Sequence, residues 1–366
     1  MAKYEVVNGV GIIPGGATKI DWYDFDDYTS LTSVVIPEGV TEIGEYAFDG
    51  CTSLTSIVIP SSVTEIGDGA FYGCTSLTSI VIPEGVTKIG QNTFKGCTSL
   101  TSIEIPSSVT EIDASTFIGC TSLTSVVIPS SVTEIGSSAF RGCTSLTSVV
   151  IPEGVTEIGR WAFEGCASLK SVVIPSSVTE ISGTAFEGCS SLTSIVVEEG
   201  NSVYDSREGC NAIIETATNK LIRGCNSTII PSSVTEIKPL AFDGCTSLTS
   251  IVIPEGVTQI GSLAFKRCSS LTSIVVEEGN SKYDSREGCN AIIETRYNLL
   301  IQGCNSTIIP SSVTNIWGSA FLGCSSLTSI EIPSSVTMID SQAFEDCTSL
   351  TSVVIPESVT EIGYKA

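Results

Sequence analysis

Cysteine and carboxylate are the side chains with the most chemical reach in this 366-residue chain, which has 15 Cys, 40 Asp plus Glu and no histidine. Eleven of the cysteines, from Cys51 and Cys74 to Cys324 and Cys347, recur at steps of 23 or 56 residues. Zinc sites want cysteines a few residues apart, often with histidine. A column of thiolates could hold a soft metal, but a free cysteine far more often packs as a small buried hydrophobe. These eleven are expected to be core residues, with no metal. Stacked neighbours would fall within disulfide Cα range, yet parallel side chains point alike and not at each other.

Cys210, Cys225, Cys289 and Cys304 lie off that beat. Each pair is symmetric about a short stretch that alternates like a hairpin, so Cys210–Cys225 and Cys289–Cys304 are candidate disulfides in an oxidising compartment. Against this, the proline register puts Cys225 at an inward position equivalent to Leu54, which favours a buried thiol.

The carboxylates form a second column: Glu42, Glu65, Glu111, Glu134, Glu157, Glu180, Glu236 and Glu361, interrupted by Lys19, Lys88, Gln259, Asn315 and Met338. Calcium could bridge stacked carboxylates, but no EF-hand or Gly-rich calcium loop is present, and the column reads as a solvated edge. Without histidine there is no Ser/His/Asp or Cys/His pair, no phosphate-binding loop occurs, and "GVG" lacks the remaining glycine of a dinucleotide fingerprint. The chain is expected to be no enzyme and to use no cofactor. Its formal charge of −23 excludes nucleic acid and anionic lipid as partners. No run approaches the roughly 18 apolar residues of a membrane span, so no membrane insertion is expected. The opening "MAKYEVVNGV" lacks the pattern of a signal peptide.

What positions these columns is a repeat. Pro14, Pro37, Pro60, Pro83 and their successors are 23 residues apart, and all twelve phenylalanines keep one phase of the same lattice. In "LTSIVIP", Leu54, Ile57 and Ile59 point inward while Ser56 and Val58 point out. Val63 and Ile66 follow inward, then Ala70 and Phe71 on one helical turn that Gly73 closes. One coil cannot bury its own apolar face; stacked coils can. The fold expected is a β-rich α/β solenoid of about fifteen coils, a parallel strand ladder with short helical turns, stacked at roughly 4.8 Å into a rod or arc about 70 Å long.

One solenoid spans 1–366 in this reading. Residues 1–30 form a cap-like coil, with Phe25 kept and Tyr28 in the cysteine position. Residues 198–230 and 277–309 are long coils enlarged by hairpins that turn near Ala217 and Thr218, and near Arg296 and Tyr297, and project from the stack. Residues 350–366 are an incomplete last coil, an open end that a second copy could cover end to end. Asn226 and Asn305 fit the glycosylation sequon but read as strand-entry asparagines.

The pattern L-x-x-I-x-I-P-x-x-V-x-x-I-x-x-x-A-F-x-x-C resembles the BspA-like leucine-rich repeats of the 23-residue class, from about Gly11 to Ile362. That resemblance implies a protein-binding or adhesive module at the cell surface or secreted, with a host or extracellular-matrix protein as partner. The alternative is a cytoplasmic interaction scaffold or filament component.

Binding needs variation on a fixed frame. The outward valines (Val35, Val58, Val81 and successors) form an apolar stripe, readable equally as a contact surface or as strand propensity. The positions around A-F vary most. Tyr46, Tyr72, Arg141, Trp161 and Trp317 there, with Arg296 and Tyr297 at a hairpin tip, are the candidate partner-binding residues, being of types enriched at interfaces.

Overall fold

The computed structural model describes residues 4–366. They form two compact units. One holds everything described up to Cys189 together with Val197–Ser202; the other holds Ser190–Val196 and Val203–Ala366. The boundary falls inside the first long coil, whose inserted residues pair among themselves.

Most ordinary coils carry two short strands, such as Ser56–Val58 and Glu65–Ile66. Both stack in parallel with an offset of one repeat. Ser56, Ile57 and Val58 lie opposite Ser79, Ile80 and Val81, and Glu42 lies opposite Glu65. β-branched residues suit the strands, and Pro60 closes the first into a turn in which Val63 N donates to Pro60 O at 3.1 Å. The third side of the coil is where a helical turn is expected. It is instead a run of tight turns, because alternate amides donate across to the next coil: Phe48 N to Ala70 O at 2.8 Å and Gly50 N to Tyr72 O at 2.9 Å. Amides spent this way cannot propagate a helix. Among the described residues there is no α-helix; the helical pieces are two 3-10 turns, Arg207–Gly209 and Arg286–Gly288.

The inward residues are as the pattern requires. Leu54, Ile57, Ile59, Val63, Ile66, Ala70 and Phe71 are buried, while Val58 and Val81 stand 77% and 78% exposed on the outer face. In the first unit the rings from Phe25 to Phe186 form one column, with centroids 5.1–5.6 Å apart and planes within 9° of parallel. This is offset stacking at the coil spacing. The second unit stacks Phe242 on Phe265 and Phe321 on Phe344.

The cysteine column has a bond of its own. In ordinary coils the thiol donates to the carbonyl of the phenylalanine one coil back, as Cys74 Sγ does to Phe48 O at 3.1 Å and Cys97 Sγ to Phe71 O at 3.2 Å; after the long coils, Cys245 and Cys324 face Gly224 O and Gly303 O instead, both at 3.9 Å. A small apolar residue that can also satisfy a buried carbonyl fits here better than alanine would. Where a glycine stands four residues before the phenylalanine, as Gly44 and Gly67 do, its lack of a side chain matters sterically. A Cβ on Gly44 would sit 2.7 Å from Ile20 O, and one on Gly67 would sit 2.7 Å from Glu45 N.

The long coils depart from this plan. In the first, Tyr204–Asp205, Ile213–Glu215 and Lys220–Arg223 form an antiparallel meander whose last strand joins Glu236–Ile237 in parallel. In the second, Tyr283–Asp284, Ile292–Glu294 and Leu299–Gln302 do the same and join Asn315–Ile316. The turns fall at residues 216–219 and 295–298, where the alternation places them. The hairpins do not project, however. Their second strands occupy a place in the ladder because Leu221 and Leu300 supply the buried side chain that isoleucine supplies elsewhere.

At the start, Glu5–Val7 pairs antiparallel with Val10–Ile12, which pairs with Ser33–Val35, and Tyr4 stacks on Phe25 at 5.6 Å. Residues 1–3 of the cap-like coil lie outside the described residues. In the last coil Ile355 and Ile362 are exposed.

Candidate functional site

The structure gathers the candidate residues into separate groups. In the first unit Tyr46 stacks on Tyr23 at 5.5 Å, and Lys95 Nζ lies 5.2 Å from the Tyr72 ring. Arg141, Trp161 and Glu164 come together. Arg141 Nε pairs with Glu164 Oε2 at 2.6 Å, its Cζ is 5.9 Å from the Trp161 ring, and Arg160 Cζ is 4.1 Å from the same ring. Trp161 is held there in the left-handed region, φ 56°.

In the second unit Tyr297 and Trp317 line one cavity of about 720 Å³, and Arg296 Cζ lies 5.2 Å over the Tyr297 ring. The cavity follows from the long coil. Its strand Leu299–Gln302 runs straight into Gly303 and Cys304, omitting the A-F turn. Phe321 therefore packs on Gly303, where a Cβ would clash with the ring. The omitted turn leaves space between the turn at Leu263 and the turn at Ser319, and both residues line it. Trp317 occupies the position that Gly44 and Gly67 hold in ordinary coils. Asp113, Ser182 and Asp340 stand at the same position in coils that follow an ordinary turn, so a side chain as such is tolerated there; beside the missing turn there is room for one as large as tryptophan. Tyr283, Glu294, Leu299 and Asp340 also line the cavity and were not among the residues singled out from sequence. The signal for them lay in comparing the two long coils, where Leu299 answers to Lys220 and Trp317 to Lys238.

The carboxylate column is real but uneven. Lys19 pairs with Glu42 at 2.6 Å and Lys88 with Glu65 at 3.0 Å. Glu111, Glu134, Glu157 and Glu180 are direct neighbours in register with no base between them. Burial, and then the charges of Glu157, Glu111 and Asp113, raise the Glu134 carboxyl above its ordinary range. Among the described residues no three His, Cys, Asp or Glu side chains are grouped to hold a metal ion.

All fifteen cysteines are free and buried. Burial pushes Cys51 and Cys143 up to about 12, and Cys210 and Cys289 up to about 11, so these thiols stay protonated at neutral pH. The bridges Cys210–Cys225 and Cys289–Cys304 are not formed in this structure. Cys225 Sγ donates to Asn211 O at 3.3 Å and Cys304 Sγ to Asn290 O at 3.2 Å, local partners on the long coil itself. Asn226 Nδ2 donates to Ser190 O and Leu192 O at 2.8 and 3.0 Å, and Asn305 Nδ2 repeats this with Ser269 and Leu271. Both amides are engaged in the fold.

Stacked coils with parallel ladders and leucine and isoleucine inward define a leucine-rich-repeat solenoid. Residues 18–146, 110–218, 212–294 and 297–366 match the BspA type leucine rich repeat region, in six copies. The chain belongs to that family. Among solved structures it is similar to a leucine rich cell surface protein from Faecalibacterium prausnitzii, with 31% identity, 99% of this chain and 89% of that chain covered, and a TM-score of 0.63. It is also similar to a leucine-rich repeat protein from Bacteroides ovatus, with 30% identity, 97% and 85% covered, and a TM-score of 0.55. No curated protein matches it. Among the described residues no helix is long and apolar enough to cross a membrane.

Proposed function

We propose that the chain is a non-catalytic protein-binding module that acts at a cell surface, where it adheres to a host or extracellular-matrix protein. The observation that carries this is the placement of variable aromatic and charged side chains on an otherwise uniform frame. Trp161 lies beside Arg141 in the first unit, and Trp317 and Tyr297 line one cavity in the second. Aromatic and arginine anchors on rigid supports are what interfaces use. Membership of the BspA type family and likeness to a protein described as a cell surface protein support the reading.

The test is saturable binding to a panel of immobilised extracellular-matrix proteins, with Trp161→Ala and Trp317→Ala as comparisons. Saturable binding weakened by either substitution is the expected outcome. A folded, monodisperse chain that binds none of the panel would sink the adhesive reading.

Fifteen free thiols favour a second reading, an intracellular interaction scaffold, since unpaired cysteines suit a reducing compartment. Protease shaving of intact producing cells separates the two, because only a surface module is cut.

A further inference from the structure

We infer that the cavity beside Trp317 receives an arginine side chain presented by the protein partner, an inference that rests on the protein-binding reading above. Its lining combines Tyr283, Tyr297 and Trp317 with Glu294 and Asp340, and it includes no lysine or arginine. Trp317 and Tyr297 are 49% and 55% exposed, so their rings are available to a ligand.

The first unit shows what such a group accepts. There Glu164 and the Trp161 ring are both engaged by Arg141, at 2.6 Å and 5.9 Å, with the Arg160 guanidinium 4.1 Å from the same ring. The cavity in the second unit carries the aromatic and carboxylate parts of that arrangement without the arginine.

Two bases lie nearby and leave room for a third. Lys282 reaches Glu294 only at 4.0 Å, and Arg296 lies over the Tyr297 ring without lining the cavity. Asp340 Oδ1 accepts the Ser341 amide at 2.6 Å, and no basic side chain pairs with Asp340 among the described residues. A guanidinium is planar, stacks on aromatic faces and donates in a fork that suits a carboxylate. A neutral sugar would use the rings but has no call for two carboxylates. Net charge of −23 adds to the attraction for a cation.

The probe is the blocked tripeptide acetyl-Gly-Arg-Gly-amide, titrated into the full chain while the indole N–H signals of Trp22, Trp161 and Trp317 are followed by NMR. The isosteric citrulline peptide and maltose are the neutral controls. Roughly millimolar binding that shifts Trp317 alone is expected. The citrulline peptide should bind about fivefold or more weakly, the loss of a guanidinium on a ring and a carboxylate. Asp340→Asn should weaken the arginine peptide by a similar factor, and Trp317→Lys, which installs the residue of the first long coil, should abolish the shift. Equal binding of the citrulline peptide or of maltose, parallel shifts at all three tryptophans, or no shift at Trp317 would each overturn the assignment. Binding to immobilised proteins that survives such a result would leave the module reading standing without this site.

Discussion

The two long coils share a skeleton and differ in what they hold. In the first, Arg207 bonds Asp205, Asn219 Oδ1 at 2.9 Å and Ser233 Oγ at 3.3 Å. In the second, Arg286 bonds Asp284, Asn298 at 3.0 Å and Ser312 at 3.3 Å. Each arginine ties the hairpin to the next coil. The remaining positions part company. The first coil places Lys220 and Lys238 on Glu236, at 3.4 and 3.2 Å, and buries Arg223 against the carbonyls of Leu240 and Asp243. The second has Leu299, Trp317, Asn315 and Gln302 at those places. Positions that carry ion pairs in one coil help line an aromatic cavity in the other. A skeleton this fixed lets the contents vary without cost to the fold.

The comparison can be broken at several points. The largest effect should come from the shared steric element. Phe321→Ala and Phe242→Ala should each lose about 3–5 kcal/mol, the cost of emptying a buried aromatic site. Gly303→Ala and Gly224→Ala should each lose about 1–3 kcal/mol by overpacking. Chemical denaturation measures all four, and a marked difference between twins would show that the two skeletons are not equivalent. Arg286→Ala and Arg207→Ala should cost similar amounts, about 1–3 kcal/mol for the charged hydrogen bonds each breaks.

Smaller effects should distinguish the contents. Burial works against ionisation of Glu236, yet its bonds to Lys238 and Lys220 more than offset this and lower its carboxyl below the ordinary range. A lowered carboxylate contributes stability above its unfolded pKa and loses it as pH falls through the folded one. Glu236→Gln should therefore cost up to about 1 kcal/mol at neutral pH, and nothing once both states are protonated. Asn315→Glu in the second coil should gain nothing, since Leu299 and Trp317 stand where the lysines would be. A pH series of thermal midpoints decides both. The double change Tyr297→Thr with Trp317→Lys should move stability by less than about 1 kcal/mol, as exposed positions do. Finally, the unreduced protein titrated in denaturant should show fifteen thiols. Thirteen would mean that one long coil carries a bridge and the other does not.

Most of the fold was legible because every inward residue recurs at one step. Leu54, Ile57, Ile59, Val63, Ile66 and Phe71 identify themselves by repetition. The turn at Ala70 and Phe71 was misread as helical because A-F and a closing glycine are compatible with either; the choice rests on amides that bond the neighbouring coil, and a partner outside the segment leaves no local mark. The hairpins were found, but not their place in the ladder, since Leu221 and Leu300 carry no sign of which strand they meet. The site was half legible. Tyr297 and Trp317 stood out as departures, whereas Asp340 and Glu294 look like any exposed acid until the omitted turn brings them together. That omission is invisible in a count of residues, because a 33-residue coil does not say which part it lacks.

The register of the ordinary coils has a genetic consequence. Contacts between ordinary coils repeat at fixed offsets from coil to coil, as with Thr87 Oγ1 to Thr64 O, 23 residues back, and Cys97 Sγ to Phe71 O, 26 residues back. Excising 74–96 would bring Cys97 over Phe48 with the same partners, so slippage between copies can shorten or lengthen the gene and still encode a folded chain. The long coils resist this: Asn226 reaches back to Ser190, 36 residues, and no ordinary coil could take its place. They act as fixed landmarks in a sequence otherwise free to change its length.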